Sequence, residues 1–217
     1  MGVHLADLKV SYFSVPKCAC TSLKAMFFEV ENGFPFRAFH TNGKANFIHK
    51  FYPSLRFEEE QKLSAGGSTK LAVLRDPLAR VVSCYRNRVA FRNDVAGKRM
   101  RDERVKAGLP EAPELNEFVA DLDLYREKLG DVGHHSRPLS FFLGKDPSYF
   151  DGIFSLSQLD KFMAEVGQRV ANPPALRRMQ TAGAKVSVND LDDTSVTQIK
   201  KKYAEDYDLF GSFFQAA

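Results

Sequence analysis

Lys9-Val10-Ser11-Tyr12-Phe13-Ser14-Val15-Pro16, continued without a break by Lys17-Cys18-Ala19-Cys20-Thr21-Ser22-Leu23, decides the fold. The first eight residues are rich in β-branched and aromatic side chains. Pro16 stops them, because it has no N–H to give to a central ladder, so residues 9–16 predict a strand. From Thr21 onward Leu23, Met26, Phe27 and Val30 recur at i, i+3, i+4 and i+7, the stripe of a helix that buries one face, and Asn32-Gly33 ends it. A strand, a short loop and a helix therefore follow one another directly.

Working outward, the same pattern returns. Gly66-Gly67-Ser68 leads into Thr69–Leu74, whose Leu71-Ala72-Val73-Leu74 is uninterrupted apolar, as in a strand covered on both faces. Asp76 and Pro77 then supply an N-cap and a first helical residue, and Leu78, Val81, Val82, Tyr85 and Val89 form the apolar face of the helix they open. Helical periodicity runs through Glu114–Leu129, Gln158–Val170 and Ser195–Tyr207, and Gly152–Leu156 predicts a further strand. Gly97–Lys106 is dense in Lys and Arg and, with the Pro-containing turn Gly108–Pro113, predicts an exposed insertion. Asn172-Pro173-Pro174 is the clearest linker. Strands alternating with helices predict an α/β fold with a parallel sheet, and no internal repeat divides the chain, so residues 1–217 are expected to form a single domain.

Composition removes several function classes. With 217 residues, 44% of them hydrophobic, 27% charged and 12% aromatic, the chain can bury a sizeable core, which excludes a disordered or collagen-like polypeptide. Three cysteines are too few and too odd in number for a disulfide framework, and Cys18-Ala19-Cys20 has no second pair with metal-ligand spacing, so no metal is expected. The 31 Lys and Arg against 27 Asp and Glu leave a net charge of only +4. The basic stretch Lys98–Lys106 is interrupted by Asp102 and Glu103 and reads as a solvated face, so nucleic acid is not expected as a partner. No apolar run approaches the roughly 18 residues of a membrane span, and the N-terminal residues lack a basic start and apolar block, so a cytoplasmic location is expected.

Two loops carry candidate chemistry. Residues 16–22 lie between the first strand and its helix, where unsatisfied N–H groups and a partial positive charge favour an anion; Thr21 and Ser22 add hydroxyl donors and Lys17 a mobile charge. The ordinary phosphate loop Gly-x-x-x-x-Gly-Lys-Ser/Thr is absent, and Gly66-Gly67-Ser68-Thr69-Lys70 precedes a strand, which makes it a turn. The second loop is Arg75-Asp76-Pro77, again at the carboxyl end of a strand, the edge where ligands bind in open α/β sheets. Arg75 can fork two donors onto a phosphate, and Arg80, Ser83 and Asn87 follow on one polar helix face. Each loop alone has a plain alternative: a snorkelling lysine with a Thr/Ser cap in the first, an arginine paired to a carboxylate in the second.

Together the two loops resemble the carbohydrate-type (Golgi-type, family 2) sulfotransferases, which use 3′-phosphoadenosine 5′-phosphosulfate as donor. Pro16-Lys17-Cys18-Ala19-Cys20-Thr21-Ser22 is similar to the family's 5′-phosphosulfate loop, and Arg75-Asp76-Pro77 with Arg80 and Ser83 to its 3′-phosphate signature. His135-Ser136-Arg137-Pro138, Phe150-Asp151-Gly152-Ile153 with Leu159, and Tyr203, Asp206, Phe210 and Gly211 look like later family blocks. The resemblance implies a P-loop-kinase-like three-layer fold, a central parallel sheet with helices on both faces. It also implies a sulfotransferase that moves a sulfuryl group to a hydroxyl acceptor, a sugar or glycan, without a metal. Lys17 would stabilise charge on the leaving phosphate, residues 16–22 would bind the 5′-phosphate, and Arg75 and Ser83, with Arg80, would bind the 3′-phosphate.

A hydroxyl acceptor needs a base, and histidine is best tuned to take a proton near neutral pH. Of five histidines, His49 is the first candidate, because the resemblance places a base shortly before the Arg-Asp-Pro strand; His135 is the second, and His4 the weakest. Two other readings stay open from the sequence: a nucleotide-dependent small-molecule kinase on the same sheet, which would need Mg²⁺, and a non-catalytic nucleotide-binding module.

Overall fold

In the computed structural model the described residues are 2–64, 66–92, 98–177, 179 and 185–214. Six strands and twelve α-helices lie among them: β1 Val3–Leu5, β2 Val10–Phe13, α1 Cys20–Asn32, β3 Phe39–Thr41, β4 Lys44–Asn46, α2 Ile48–Phe51, α3 Phe57–Leu63, β5 Thr69–Leu74, α4 Pro77–Cys84, α5 Lys98–Lys106, α6 Leu115–Ala120, α7 Leu122–Lys128, α8 Gly130–Ser136, α9 Leu139–Leu143, β6 Gly152–Ser155, α10 Leu159–Gly167, α11 Asp193–Lys202 and α12 Ala204–Phe210. They group into two compact units, the first made of Met1–Leu74, Leu139–Gln180 and Ser212–Ala217, the second of Arg75–Pro138 and Thr181–Gly211.

The first unit holds a four-stranded sheet, ordered β1-β2-β5-β6, and a separate antiparallel pair, β3-β4. β5 is central among the three parallel strands: Phe13 lies opposite Ala72 on one side, and Leu71 opposite Gly152 on the other. β1 pairs antiparallel to β2 through the tight turn at residues 6–9, where Lys9 takes a φ of 50°, so the sheet is mixed at that edge and the purely parallel expectation is corrected there. Successive strand side chains point to opposite faces, and Tyr12 and Phe13 show what covers each. Tyr12 meets Phe27 of α1 and Phe162 of α10 at ring distances of 5.6 and 5.7 Å, whereas Phe13 meets Phe57 of α3 and Phe150 at 6.1 and 5.1 Å. Helices therefore cover both faces of this α/β sheet. Leu71 to Leu74 are wholly buried, which is why β5 reads as an unbroken apolar run instead of an alternation.

The second unit is helical. Val81, Val82 and Cys84 of α4 pack with Phe118, Val119, Leu122, Tyr125, Val132, Ile199 and Tyr203 in one buried cluster. α4 ends at Cys84 and the chain continues through a π-helical stretch, Tyr85–Phe91, closed by Arg92 N–H donating to Asn87 O at 3.1 Å. The wider turn removes Asn87 from the α-helical register that Arg80 and Ser83 share, and Arg80 is only 2% exposed, so the expected polar face does not form. The expected exposed insertion is largely borne out: Lys98–Lys106 is helical and Arg101, Asp102, Val105 and Lys106 are exposed, while Arg104 is buried, donating to Leu109 O and to Glu111 at 3.0 Å each. Residues 93–97 lie outside the described residues. Two long predicted helices are each interrupted: at Asp121, between α6 and α7, and at Tyr203, between α11 and α12, where φ is −101° and −110°.

Candidate functional site

β2 and β5 run parallel, and each is followed at its carboxyl end by one of the two motif loops. After β2, residues 14–19 make a compact turn in which both Lys17 (φ 68°) and Ala19 (φ 56°) are left-handed, a conformation costly for residues with a Cβ and held only where the surroundings over-determine it. Ala19 is the N-cap of α1, and its methyl group cannot accept from the first-turn amides. Those amides thus keep the donor character that the sequence implied. Pro16 and Cys18 are buried, Lys17, Cys20 and Thr21 are half-buried, and the buried Ser22 accepts from Met179 N–H at 3.3 Å.

His49, from α2, meets this loop: its Nε2 and Thr21 Oγ1 share a hydrogen bond of 2.9 Å. Ile48 anchors α2 in the core at 3% exposed, which turns the neighbouring His49 toward α1. One turn behind Thr21 sits a cation the motif reading passed over. Lys24 is fully buried and donates to Ser54 Oγ at 2.9 Å, and Ser54 Oγ is 2.7 Å from Ser14 Oγ. Burial lowers its pKa from 10.5 to about 8, against the opposing pull of Cys20 and Glu60. The signal was present in the sequence, since Lys24 stands inside the apolar stripe, between Leu23 and Phe27. Tyr12 lies beneath the same turn, its phenol pushed well above the ordinary range by burial.

After β5, the loop is built differently. Asp76 caps α4 by accepting from Leu78 N–H at 2.8 Å and Ala79 N–H at 3.4 Å, and Pro77 stands at the first helical position as the sequence predicts. Tyr207 reaches Asp76 Oδ1 at 3.3 Å. Arg75 and Ser83 are half-buried, while Arg80 is directed into the unit and donates to Arg137 O at 2.9 Å. His135 is held at both ring nitrogens: Nδ1 is 2.7 Å from Asp131 O, a group that only accepts, so Nδ1 carries the proton. Nε2 then accepts from Arg88 at 2.8 Å. His4 pairs with the buried Glu60 at 2.7 Å.

The residues brought together are thus Thr21 with His49 in the first unit, and Arg80 with Arg137, and Arg88 with His135, in the second. Among the described residues no helix is long and apolar enough to cross a membrane. No curated protein and no solved structure matches the chain. A family model described as "Sulfotransferase family" matches residues 5–214, which spans both motif loops, His49 and His135. The chain belongs to the sulfotransferase family, that of the carbohydrate (Golgi-type) sulfotransferases.

Proposed function

We propose that this sulfotransferase moves the sulfuryl group of 3′-phosphoadenosine 5′-phosphosulfate to a hydroxyl on a sugar or glycan. The observation that carries the reading is the Thr21–His49 hydrogen bond at the start of α1, which puts an imidazole nitrogen 2.9 Å from the Thr21 hydroxyl. The first-turn amides of α1, with Thr21 and the loop backbone, hold the 5′-phosphate; Lys17 faces the charge that builds on it as the bond to sulfur breaks. His49 takes the acceptor's hydroxyl proton as its oxygen bonds to sulfur. The products are a sulfate ester, adenosine 3′,5′-bisphosphate and the proton on His49. Positioning and charge stabilisation supply most of such a transfer, with little covalent work for the protein.

Arg75 and Ser83 are the residues proposed to hold the 3′-phosphate, a forked donor and a hydroxyl. Arg80 is a positioning residue in this reading, because its guanidinium is turned to Arg137 O. His49 is preferred to His135 as the base because it meets Thr21 at the start of α1, beside the residues proposed to hold the 5′-phosphate. The testing experiment is a parallel calorimetric titration of adenosine 3′,5′-bisphosphate, and of ATP with Mg²⁺, into wild type and Arg75→Ala. Metal-independent binding of the bisphosphate, weakened at least tenfold in Arg75→Ala, is expected. Preferential binding of ATP with Mg²⁺ would replace this function by a kinase, and tight donor binding without transfer to any hydroxyl would leave a nucleotide-binding module.

A further inference from the structure

The seam between α1 and α2 carries more than the Thr21–His49 pair. Seven residues after Thr21, on the same face of α1 and about 10 Å further along its axis, Phe28 opens a cavity of about 520 Å³. Phe34, Pro35, Phe36, Arg37, Phe39 and Phe51 complete its lining. Phe51 is two residues beyond His49 in the short helix α2, so one element carries both the proposed base and a cavity wall. The rings support one another edge to face: Phe28 lies 5.6 Å from Phe34 and 5.2 Å from Phe36, and Phe36 lies 5.5 Å from Phe51. Yet Phe34, Phe39 and Phe51 remain 59%, 47% and 42% exposed, an apolar surface that the fold itself leaves uncovered.

A cavity of this size suits a small molecule, and its chemistry limits which one. Its walls are rings, with one guanidinium, Arg37, as the sole charged residue of the lining. A bare sugar presents hydroxyls that those walls cannot satisfy. A flat apolar group can stack or meet them edge-on, and an acidic group complements Arg37. We propose that this cavity is an acceptor subsite for the aryl aglycone of an acidic glycoside, whose sugar hydroxyl then extends along α1 toward His49. The proposal rests on the sulfuryl-transfer reading for the role of the sugar end, while the cavity's preference for an aryl acid is independent of it.

The test is a titration of methylumbelliferyl β-glucuronide, methylumbelliferyl β-glucoside and methyl β-glucuronide into the full chain without donor, with adenosine 3′,5′-bisphosphate titrated separately. The aryl glucuronide should bind at least tenfold more tightly than the methyl glucuronide, and Phe36→Ser should erase that preference. Arg37→Gln should weaken the aryl glucuronide about fivefold and leave the neutral aryl glucoside unchanged. Phe36→Leu keeps an apolar side chain and loses the ring, so its intermediate preference serves should the serine variant fail to fold. Equal binding of aryl and methyl glucuronides, or a preference untouched by both Phe36 variants, overturns the proposal. If the bisphosphate fails to bind while the aryl preference follows Phe36 and Arg37, the sulfuryl-transfer reading falls and the subsite stands; the reverse pattern removes the subsite alone.

Discussion

The starts of α1 and α4 look alike in sequence and are built to opposite electrostatic plans. Both follow a parallel strand, and both bury a cation about one turn in: Lys24 on α1, tied to Ser54, and Arg80 on α4, tied to Arg137 O. At α4 the carboxylate of Asp76 already occupies the first amides, so the helix supplies its own anion. At α1 the N-cap residue, Ala19, carries no group that could do so, and the turn before the helix includes two left-handed residues, Lys17 and Ala19. The lesson is that a strand-loop-helix junction recruits an external anion through its amides only where the chain leaves them uncapped. At the other junction, the proposed 3′-phosphate site would rest on the side chains of Arg75 and Ser83.

The sharpest way to break this contrast is Lys17→Ala. It should lower turnover about a thousandfold with an unchanged melting curve, in line with the loss of a charge-stabilising donor; near-normal sulfate ester formation would remove Lys17 from the mechanism. Next comes the pair of buried cations. Because the folded pKa of Lys24 is about 8 against an ordinary 10.5, the unfolded chain holds more protons between those values and stability rises with pH across the window, by about 3 kcal/mol from this group. Burial raises Tyr125 and Tyr203 to about 12, so above pH 10 the folded state holds more protons and stability falls again. Denaturant melts of Lys24→Met should show a difference from wild type that changes with pH between 8 and 10. Arg80→Met should show one that does not, since a guanidinium stays charged throughout. Parallel curves for both variants would contradict the contrast.

His49→Ala should reduce turnover about a hundredfold and leave bisphosphate affinity within about twofold. A matching loss of donor affinity would make His49 a loop-ordering residue. The smallest effect is expected at the cap: Asp76→Ala should cost about 1 kcal/mol in a thermal melt. An Ala19→Asp change, placing a carboxylate at the start of α1, should instead weaken the bisphosphate while leaving the melt almost unaltered.

Much of the frame was legible in the residues. β5 is bounded by Gly66-Gly67 and Asp76-Pro77 and is purely apolar at its centre, and α1 ends where Gly33 takes a φ of 76°, with its N–H on Glu29 O. β1 was not legible, because three residues show no period and their pairing depends on the turn at Lys9. The π-helical stretch after Cys84 escaped for a different reason: its period lies close enough to 3.6 that Tyr85 and Val89 still fit an α-helical stripe. At the site, the two loops were read from their own letters. The Thr21–His49 contact joins residues 28 apart, which no local pattern specifies. The phenylalanine cavity had a compositional trace, with eight of the nineteen phenylalanines falling between residues 27 and 57. Whether those rings pack inward or line an opening depends on backbone geometry that spacing does not encode.

The central strand also sets a timetable for the growing polypeptide. β5 finds β2 about 60 residues behind it, but its other neighbour, β6, about 80 residues ahead, since Leu71 pairs with Gly152. At ordinary elongation rates the ribosome needs on the order of ten seconds to supply that partner. Through that interval Leu71-Ala72-Val73-Leu74 offers an open apolar edge, a template for adhesion to other chains. Escape from that hazard comes only when Gly152–Ser155 emerges, so the vulnerable period in the life of this enzyme is its synthesis.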